Sequence, residues 1–433
     1  MAQVITRFPP SPTGFLHIGS VRTALFNYLF ARHGGGAMVF RFEDTDRERS
    51  KPEFEADIIE GLRWLGLSWD NETPWKQSER TELYREHLRR LIEAGKAYEA
   101  EEGKDGSGRK VVRFRNPNAS VTFADAVRGD VTFDTTELGD FVIAKSASEP
   151  LYHFAVVVDD AEMGVTHVIR GEDHVSNTPR QILILEALGF VRPAYAHIPL
   201  ILAPDRSKMS KRHGAVSIND YRAQGFIPEA LLNYLALLGW NPGGEREVFT
   251  LDELAGLFTL DRVQKGGAVF GIEKLKWFNH EHLKRLSDEE YAARLEEFLG
   301  ASADMRLVPL VKERAQTLKE AAELLSSEFE FLKGVSYEPA LLLNKGKIAP
   351  ADASKHLQAV KGILEGMDDE DFTALHVKDA VWPYADREGR GAVLWPLRVA
   401  LSGREKSPDP FTIAGLIGKK EALARIARAL ETL

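Results

Sequence analysis

The chain has 433 residues, of which 44% are hydrophobic and 28% charged, and its formal net charge is −9. That length exceeds one ordinary core, since domains cluster near about 100–200 residues, and it predicts two to four domains. The absence of cysteine excludes disulfides, thiolate nucleophiles and Cys-ligated zinc, and no apolar run approaches the about 20 residues of a membrane helix. No membrane role is expected, and without a secretory-type N-terminus the expected compartment is the cytoplasm. The acidic balance argues mildly against a nucleic-acid partner, although a large enzyme can confine cationic patches locally.

Val4 and Ile5 open a strand, which the turn Pro9-Pro10-Ser11-Pro12-Thr13-Gly14 breaks. A helix is predicted from about Ile18, with Val21, Leu25, Tyr28 and Leu29 at helical spacing and Gly34-Gly35-Gly36 as its stop. Met38 to Phe42 reads as a buried second strand ending at Glu43-Asp44-Thr45-Asp46. Strand, loop, helix, strand is the opening of a nucleotide-binding α/β unit. Amphipathic helices follow at about Pro52 to Leu65 and Ser78 to Ala94. From Tyr98 to about Pro150 the texture changes. A polar, Gly-rich stretch, Glu101 to Lys110, precedes short β-like runs at Val111 to Arg115, Val131 to Phe133 and Phe141 to Lys145, which read as a small insertion. Strand-like runs resume at Tyr152 to Val158 and Val165 to Arg170, followed by a helix at about Pro179 to Leu188 and a strand at Tyr195 to Ile201. Beyond Ala230 the pattern is helical, including Thr317 to Leu325, Ala353 to Leu364 and Lys419 to Leu430, with a boundary expected near Leu299 to Met305.

Two segments carry chemistry. Pro10 to Ser20, containing His17-Ile18-Gly19-Ser20, lies where a strand hands over to a helix N-terminus, whose unpaired N–H groups and dipole favour anions. Gly19 lets a flat base approach the backbone, and His17 stands where phosphates would lie. Ser207-Lys208-Met209-Ser210-Lys211-Arg212 is a cationic loop after the last strand, able to set ammonium groups against a triphosphate. Taken singly, the first also fits a Pro/Gly turn with a capping histidine, and the second a solvated basic loop.

Together the two segments resemble the paired signature of class I aminoacyl-tRNA synthetases. The strings TRFPPSPTGFLHIGSVRTALFNYLFAR, FRFEDTDRER, KQSER, YHFAVVVDDAEMGVTHVIRGEDHVSNTPRQ and KMSKRHGAVSI narrow the resemblance to the bacterial glutamyl-tRNA synthetases, and VKERAQTLKEAAELL and WPLRVALSG extend it into the helical part. The resemblance implies a Rossmann-type α/β catalytic domain, residues 1–97 and 151–205, with a small α+β acceptor-end-binding insertion at 98–150. It also implies a KMSKR loop and stem-contact region at 206–300 and an all-α anticodon-binding domain at 301–433. The implied activity is ATP-dependent activation of L-glutamate and its transfer to tRNA(Glu), with charging of tRNA(Gln) left open. ATP with Mg²⁺ is the expected cosubstrate, zinc is not expected, and the expected state is a monomer. A small-molecule nucleotidyltransferase sharing both loops is the alternative, which the helical third disfavours.

By the same resemblance His17, Lys208 and Lys211 are catalytic, and His17, Gly19, Lys208, Met209 and Lys211 bind ATP. Arg7, Ser11, Glu43, Tyr152 and Arg170 contact glutamate, with Pro9 packing and Asp173 beside the pocket. Physical reasoning agrees, because glutamate presents two carboxylates and one ammonium, and Arg7, Arg170 and Glu43 each lie at a predicted strand end, where ligands of parallel sheets bind. Val156 stands where some relatives have Asn. The insertion is shorter than is usual in the family and cannot hold a Cys-rich zinc site; its available cations are Arg109, Lys110, Arg113 and Arg115. Arg314 and Arg398 match anticodon-contacting arginines, and an Arg at position 314 resembles forms restricted to tRNA(Glu).

Overall fold

The computed structural model describes residues 3–102, 109–209 and 217–433. Two compact units divide between Arg285 and Leu286.

In the first unit, strand β1 (Ile5–Phe8), helix α1 (Ile18–His33) and strand β2 (Ala37–Phe42) form the predicted opening. The two strands run parallel, with Ile5 opposite Ala37 and Phe8 opposite Phe40. Gly36 allows the return from α1 to sit tight against β1, because a Cβ there would stand 2.0 Å from the Val4 carbonyl oxygen. After helix α2 (Pro52–Trp64), strand β3 (Trp75–Lys76) adds parallel to β2, and helix α3 (Thr81–Glu93) leads into the insertion.

The insertion contains strands β4 (Ala97–Glu102), β5 (Arg109–Phe114), β6 (Ser120–Asp125), β7 (Gly129–Asp134), β8 (Phe141–Ser146) and β9 (Glu149–Pro150). Strands β4, β5, β8 and β9 make an antiparallel sheet of their own. The β6–β7 hairpin does not join it. It pairs with the catalytic sheet instead, where Tyr195 is the partner of Asp125.

The segment 152–158, expected as a strand, is the start of helix α4 (Tyr152–Glu162). Two things produce that error. Val156-Val157-Val158 is a β-branched run, and every residue from Phe154 to Asp160 is buried, so no polar face marks the helical period. The helix packs on Ile182, Leu183 and Leu185 of helix α5 (Thr178–Ala187). Strands β10 (His167–Gly171) and β11 (Ala194–Ile198) run parallel, in the order β10-β11-β6-β7. The two halves of the nucleotide fold meet at Ile5, whose N–H donates to Thr166 Oγ1 at 2.8 Å and whose carbonyl accepts from Thr166 N–H at 2.9 Å. Arg7 Nη1 and Asn27 Nδ2 both donate to the Ile169 carbonyl, at 3.2 and 3.0 Å, and carry the join further up the sheet.

Strand β12 (Ile201–Leu202), helices α6 (Ile218–Ala223), α7 (Pro228–Leu237) and α8 (Leu251–Leu257), strand β13 (Ala268–Val269) and helix α9 (Ile272–Arg285) complete this unit. Phe26 of α1 packs on Phe258, which packs on Trp240, so the first helix and the α7–α9 region share one core.

The second unit is helical, as the sequence predicts. Its helices are α10 (Asp288–Leu299), α11 (Val308–Arg314), α12 (Leu318–Ser327), α13 (Pro350–Glu365), α14 (Ala374–Glu388), α15 (Arg390–Ser402) and α16 (Pro410–Thr432). Ser287 caps α10 in a reciprocal box with Glu290, and Gly418, at φ 79°, kinks α16. Val377, Leu397, Leu401 and Ile426 form the inner faces of the last helices. The expected boundary stretch, Leu299 to Met305, lies inside this unit.

Candidate active site

Charged side chains converge at the C-terminal ends of β1, β2 and β10. Arg41, on β2, is fully buried; its Nη2 donates to Glu43 at 3.0 Å and its Nη1 to Asp160 at 2.6 Å, while its Nε lies 3.8 Å from Asp159. Arg7, on β1, reaches the other Asp160 oxygen at 3.4 Å. Asp159 accepts from Gln77, Arg80 and Tyr84, each at 2.8 Å, which ties the KQSER segment to this group. Burial alone would raise the Asp160 carboxyl, but the charges of Arg41 and Arg7 outweigh it and hold its pKa below the ordinary value. At Glu43 burial wins over the pull of Arg41, and its pKa is raised.

Arg170 is different. The residue is 5% exposed, yet its bonds go to neutral partners: Nε donates to His197 Nε2 at 3.1 Å and Nη2 to Thr178 Oγ1 at 2.7 Å. No carboxylate among the described residues forms an ion pair with it, and burial lowers its pKa. An unpaired buried cation is costly, so a site of this kind is complete only when an anion enters it. Tyr152 stands beside it: its OH meets His174 Nδ1 at 3.2 Å, and its phenol feels the charges of Glu43, Arg170, Arg7 and Asp160. Burial, then the charge of Arg170, depress His174 to about 4, so it is neutral at physiological pH. Helical spacing puts Val156 one turn beyond Tyr152 and Asp160 two turns beyond, all on the face of α4 turned to the arginines. Pro9 and Ser11 border this group in the turn after β1, where the Pro10 carbonyl accepts from Glu43 N–H at 3.0 Å. Arg7, Glu43, Tyr152 and Arg170 are therefore brought together. Arg41, Asp159, Asp160, Asp125 and His197 complete the group, and sequence reasoning did not single them out.

His17 caps α1, its Nδ1 accepting from Ser20 N–H at 3.2 Å and its Nε2 lying 3.0 Å from Ser20 Oγ. Desolvation, then the Lys208 ammonium, lower its pKa. Gly19 makes room for this ring, because a Cβ there would lie 3.1 Å from His17 Nδ1. Lys208 bridges back to Leu202, and Ser217, beyond the cationic loop, bridges to His17, so one flank of the loop is tied to β12 and the other to the first motif. Lys208 Nζ donates to Asp173 at 3.1 Å, which turns Asp173 toward the flank of the cationic loop, and Met209 packs its side chain onto the core. Lys211, Ser210 and Arg212 lie outside the described residues.

In the insertion, Arg113 donates to the Asp140 carbonyl at 2.9 Å and Arg115 to the Gly95 carbonyl at 3.3 Å, while Lys110 is exposed. In the second unit Arg314 forms a bidentate pair with Glu328, both bonds 2.7 Å, and Arg398 is half-buried on α15 with its Nε unpartnered.

An α/β sheet with His17 and Gly19 at its first helix and Lys208 after its last strand is the catalytic unit of a class I aminoacyl-tRNA synthetase. Residues 3–106 and 99–277 match the family "tRNA synthetases class I (E and Q), catalytic domain", and residues 272–430 match the family "Anticodon binding domain". The chain is 42% identical to glutamate–tRNA ligase 1 of Acidithiobacillus ferrooxidans, over 98% of this chain and 99% of that protein, and 40% identical to glutamate–tRNA ligase of Desulforamulus reducens over the same shares. A crystal structure of a glutamate tRNA ligase from Elizabethkingia meningosepticum in complex with its amino acid superposes with a TM-score of 0.89 at 31% identity, covering 100% of both chains. The chain belongs to the glutamate–tRNA ligases.

Proposed function

We propose that this chain activates L-glutamate with ATP and transfers it to the 3′-terminal adenosine of tRNA(Glu), releasing AMP and pyrophosphate. The observation that carries the amino-acid part is Arg170, a buried guanidinium held by neutral groups with Nη1 left for a ligand. Beside Arg7 it offers a glutamate carboxylate two cations, while Glu43 offers the ammonium an anion. Glutamine would bring a neutral amide to the same place and leave the cation underpaired. Tyr152 and the Ser11 turn border the substrate, with Pro9 packing behind them.

ATP enters as its Mg²⁺ complex against the His17–Gly19 segment. In the first step a glutamate α-carboxylate oxygen attacks the α-phosphorus in line, the bond to the β-phosphate oxygen breaks, and pyrophosphate leaves. Positioning and charge stabilisation suffice for such a reaction, and no covalent nucleophile is needed. Lys208 and Lys211 neutralise charge growing on the phosphates, and His17 donates to the same region. In the second step a ribose hydroxyl of the terminal adenosine attacks the mixed anhydride and AMP leaves. Substituting Lys211→Ala should lower kcat for ATP–pyrophosphate exchange about a hundredfold with little change in the glutamate KM, because its contact tightens in the transition state. An unchanged kcat would remove Lys211 from the chemistry.

Arg314 and Arg398 serve anticodon recognition in this reading, and Arg314 must exchange Glu328 for the RNA to do so. We propose restriction to tRNA(Glu). With labelled glutamate and separate transcripts, charging of tRNA(Glu) is expected to exceed that of tRNA(Gln) at least about tenfold, which corresponds to about 1.4 kcal/mol. Comparable rates on both transcripts would replace this reading with a non-discriminating one.

A further inference from the structure

The insertion reaches back into the amino-acid pocket. Asp125, the last residue of β6, is buried and accepts at every contact: its Oδ1 from Val127 N–H at 3.0 Å and Arg128 N–H at 2.9 Å, its Oδ2 from His197 N–H at 3.1 Å and His197 Nδ1 at 2.5 Å. A carboxylate so placed demands a proton on His197 Nδ1. In the neutral ring this leaves Nε2 bare, as its surroundings require, since Arg170 Nε–H points at it from 3.1 Å and an arginine cannot accept. The Thr178 hydroxyl closes the loop, accepting from Arg170 Nη2 at 2.7 Å while lying 3.0 Å from His197 Nε2. With the other tautomer, or with the ring doubly protonated, two N–H groups would oppose each other across that 3.1 Å gap. The ring itself is held in place by stacking on Tyr195, at an interplanar angle of 12°.

We propose that Asp125 is a positioning residue for glutamate recognition: it fixes the tautomer of His197, which in turn aims the Arg170 guanidinium at the substrate carboxylate. The proposal rests on the reading of Arg170 as the carboxylate-binding group. It makes the hairpin supplied by the insertion part of the amino-acid site, with Asp125 acting through His197 and Arg170.

The test is ATP–pyrophosphate exchange by the full chain, in the presence of tRNA(Glu), with Asp125→Asn, His197→Gln and the double variant. Asn at 125 keeps the volume but presents an N–H to the ring or to the turn, so the glutamate KM should rise at least about tenfold while the ATP KM stays within about twofold. His197→Gln sets its own loss; its Oε1 accepts from Arg170 without a tautomer, so adding Asp125→Asn to it should cost no more than about twofold further. Additive losses, or equal rises in both KM values, would reduce Asp125 to a structural turn residue and overturn the proposal. Should Asp125→Asn not fold, nitrogen NMR of the ¹⁵N-histidine-labelled protein, with His197 assigned by its loss in His197→Gln, decides: a protonated Nδ1 supports the proposal and a protonated Nε2 overturns it. An Arg170→Ala variant with an unchanged glutamate KM would instead dismiss the reading on which the proposal rests.

Discussion

Arg170→Ala is expected to lower kcat/KM for glutamate about a thousandfold, or about 4 kcal/mol, within the range found on truncating one partner of a buried charged contact. The size follows from the environment. Arg170 is 5% exposed, and its protein partners are a histidine nitrogen and a threonine hydroxyl, so in the proposed function its counter-charge is the substrate carboxylate. Without it, a glutamate carboxylate enters a pocket whose remaining arginine, Arg7, is already shared with Asp160. The ATP KM at saturating glutamate should change less than about threefold, because the proposed function gives Arg170 no contact with the nucleotide. Arg170→Lys should recover little, since a single ammonium point cannot reproduce the planar fork by which the guanidinium reaches His197, Thr178 and the ligand in different directions. Steady-state exchange kinetics check this, and a wild-type glutamate KM in the alanine variant would be incompatible with the site as described.

The second large effect concerns stability. Arg41→Leu should destabilise the protein by about 3–5 kcal/mol, because it strands buried carboxylates whose shared counter-ion is gone. Burial alone would weaken the hold of Arg41 on its proton, but Asp160, Glu43 and Asp159 outweigh that and raise its pKa. Once Arg41 is removed, Asp160 has only the longer contact to Arg7. The urea midpoint, followed by tryptophan fluorescence, should fall clearly, and the glutamate KM should rise as Glu43 and Arg7 lose their settings. A midpoint equal to that of the unsubstituted chain would show that the carboxylates find solvent or protons at no cost.

The parts of this site that were legible in sequence are those whose position follows from local pattern. Arg7 and Glu43 stand at the ends of strands flanked by turn residues, and Arg170 ends a short apolar run, so the strand-end rule located all three. The groups that set their charge state were not legible, because their partners are remote along the chain. Arg41 meets Asp160 119 residues away, and Asp125 meets His197 72 residues away. Reading 152–158 as a strand removed the one usable clue. Tyr152, Val156 and Asp160 recur every four residues, and that helical spacing would have turned Asp160 toward the same pocket as Tyr152. The attachment of the insertion was not legible either. Ser120 to Asp125 alternates exposed and buried residues as a strand should, but its membership of the catalytic sheet rests on a single pairing, Asp125 with Tyr195, that no local pattern announces. His17 is the cap of α1, as one of its two readings expects, and its ring also feels the charge of Lys208.

In the proposed function a buried, neutral-partnered Arg170 beside Arg7 and Glu43 selects a substrate with a side-chain carboxylate. The most direct measurement is ATP-dependent charging of a tRNA(Glu) transcript by the RNA-free chain, with labelled glutamate and labelled glutamine in parallel. Glutamyl-tRNA is expected, with a glutamine rate lower by about 10⁴, the discrimination that an unsatisfied buried polar group can impose. Similar rates with the two amino acids, or no charging with glutamate, would contradict it.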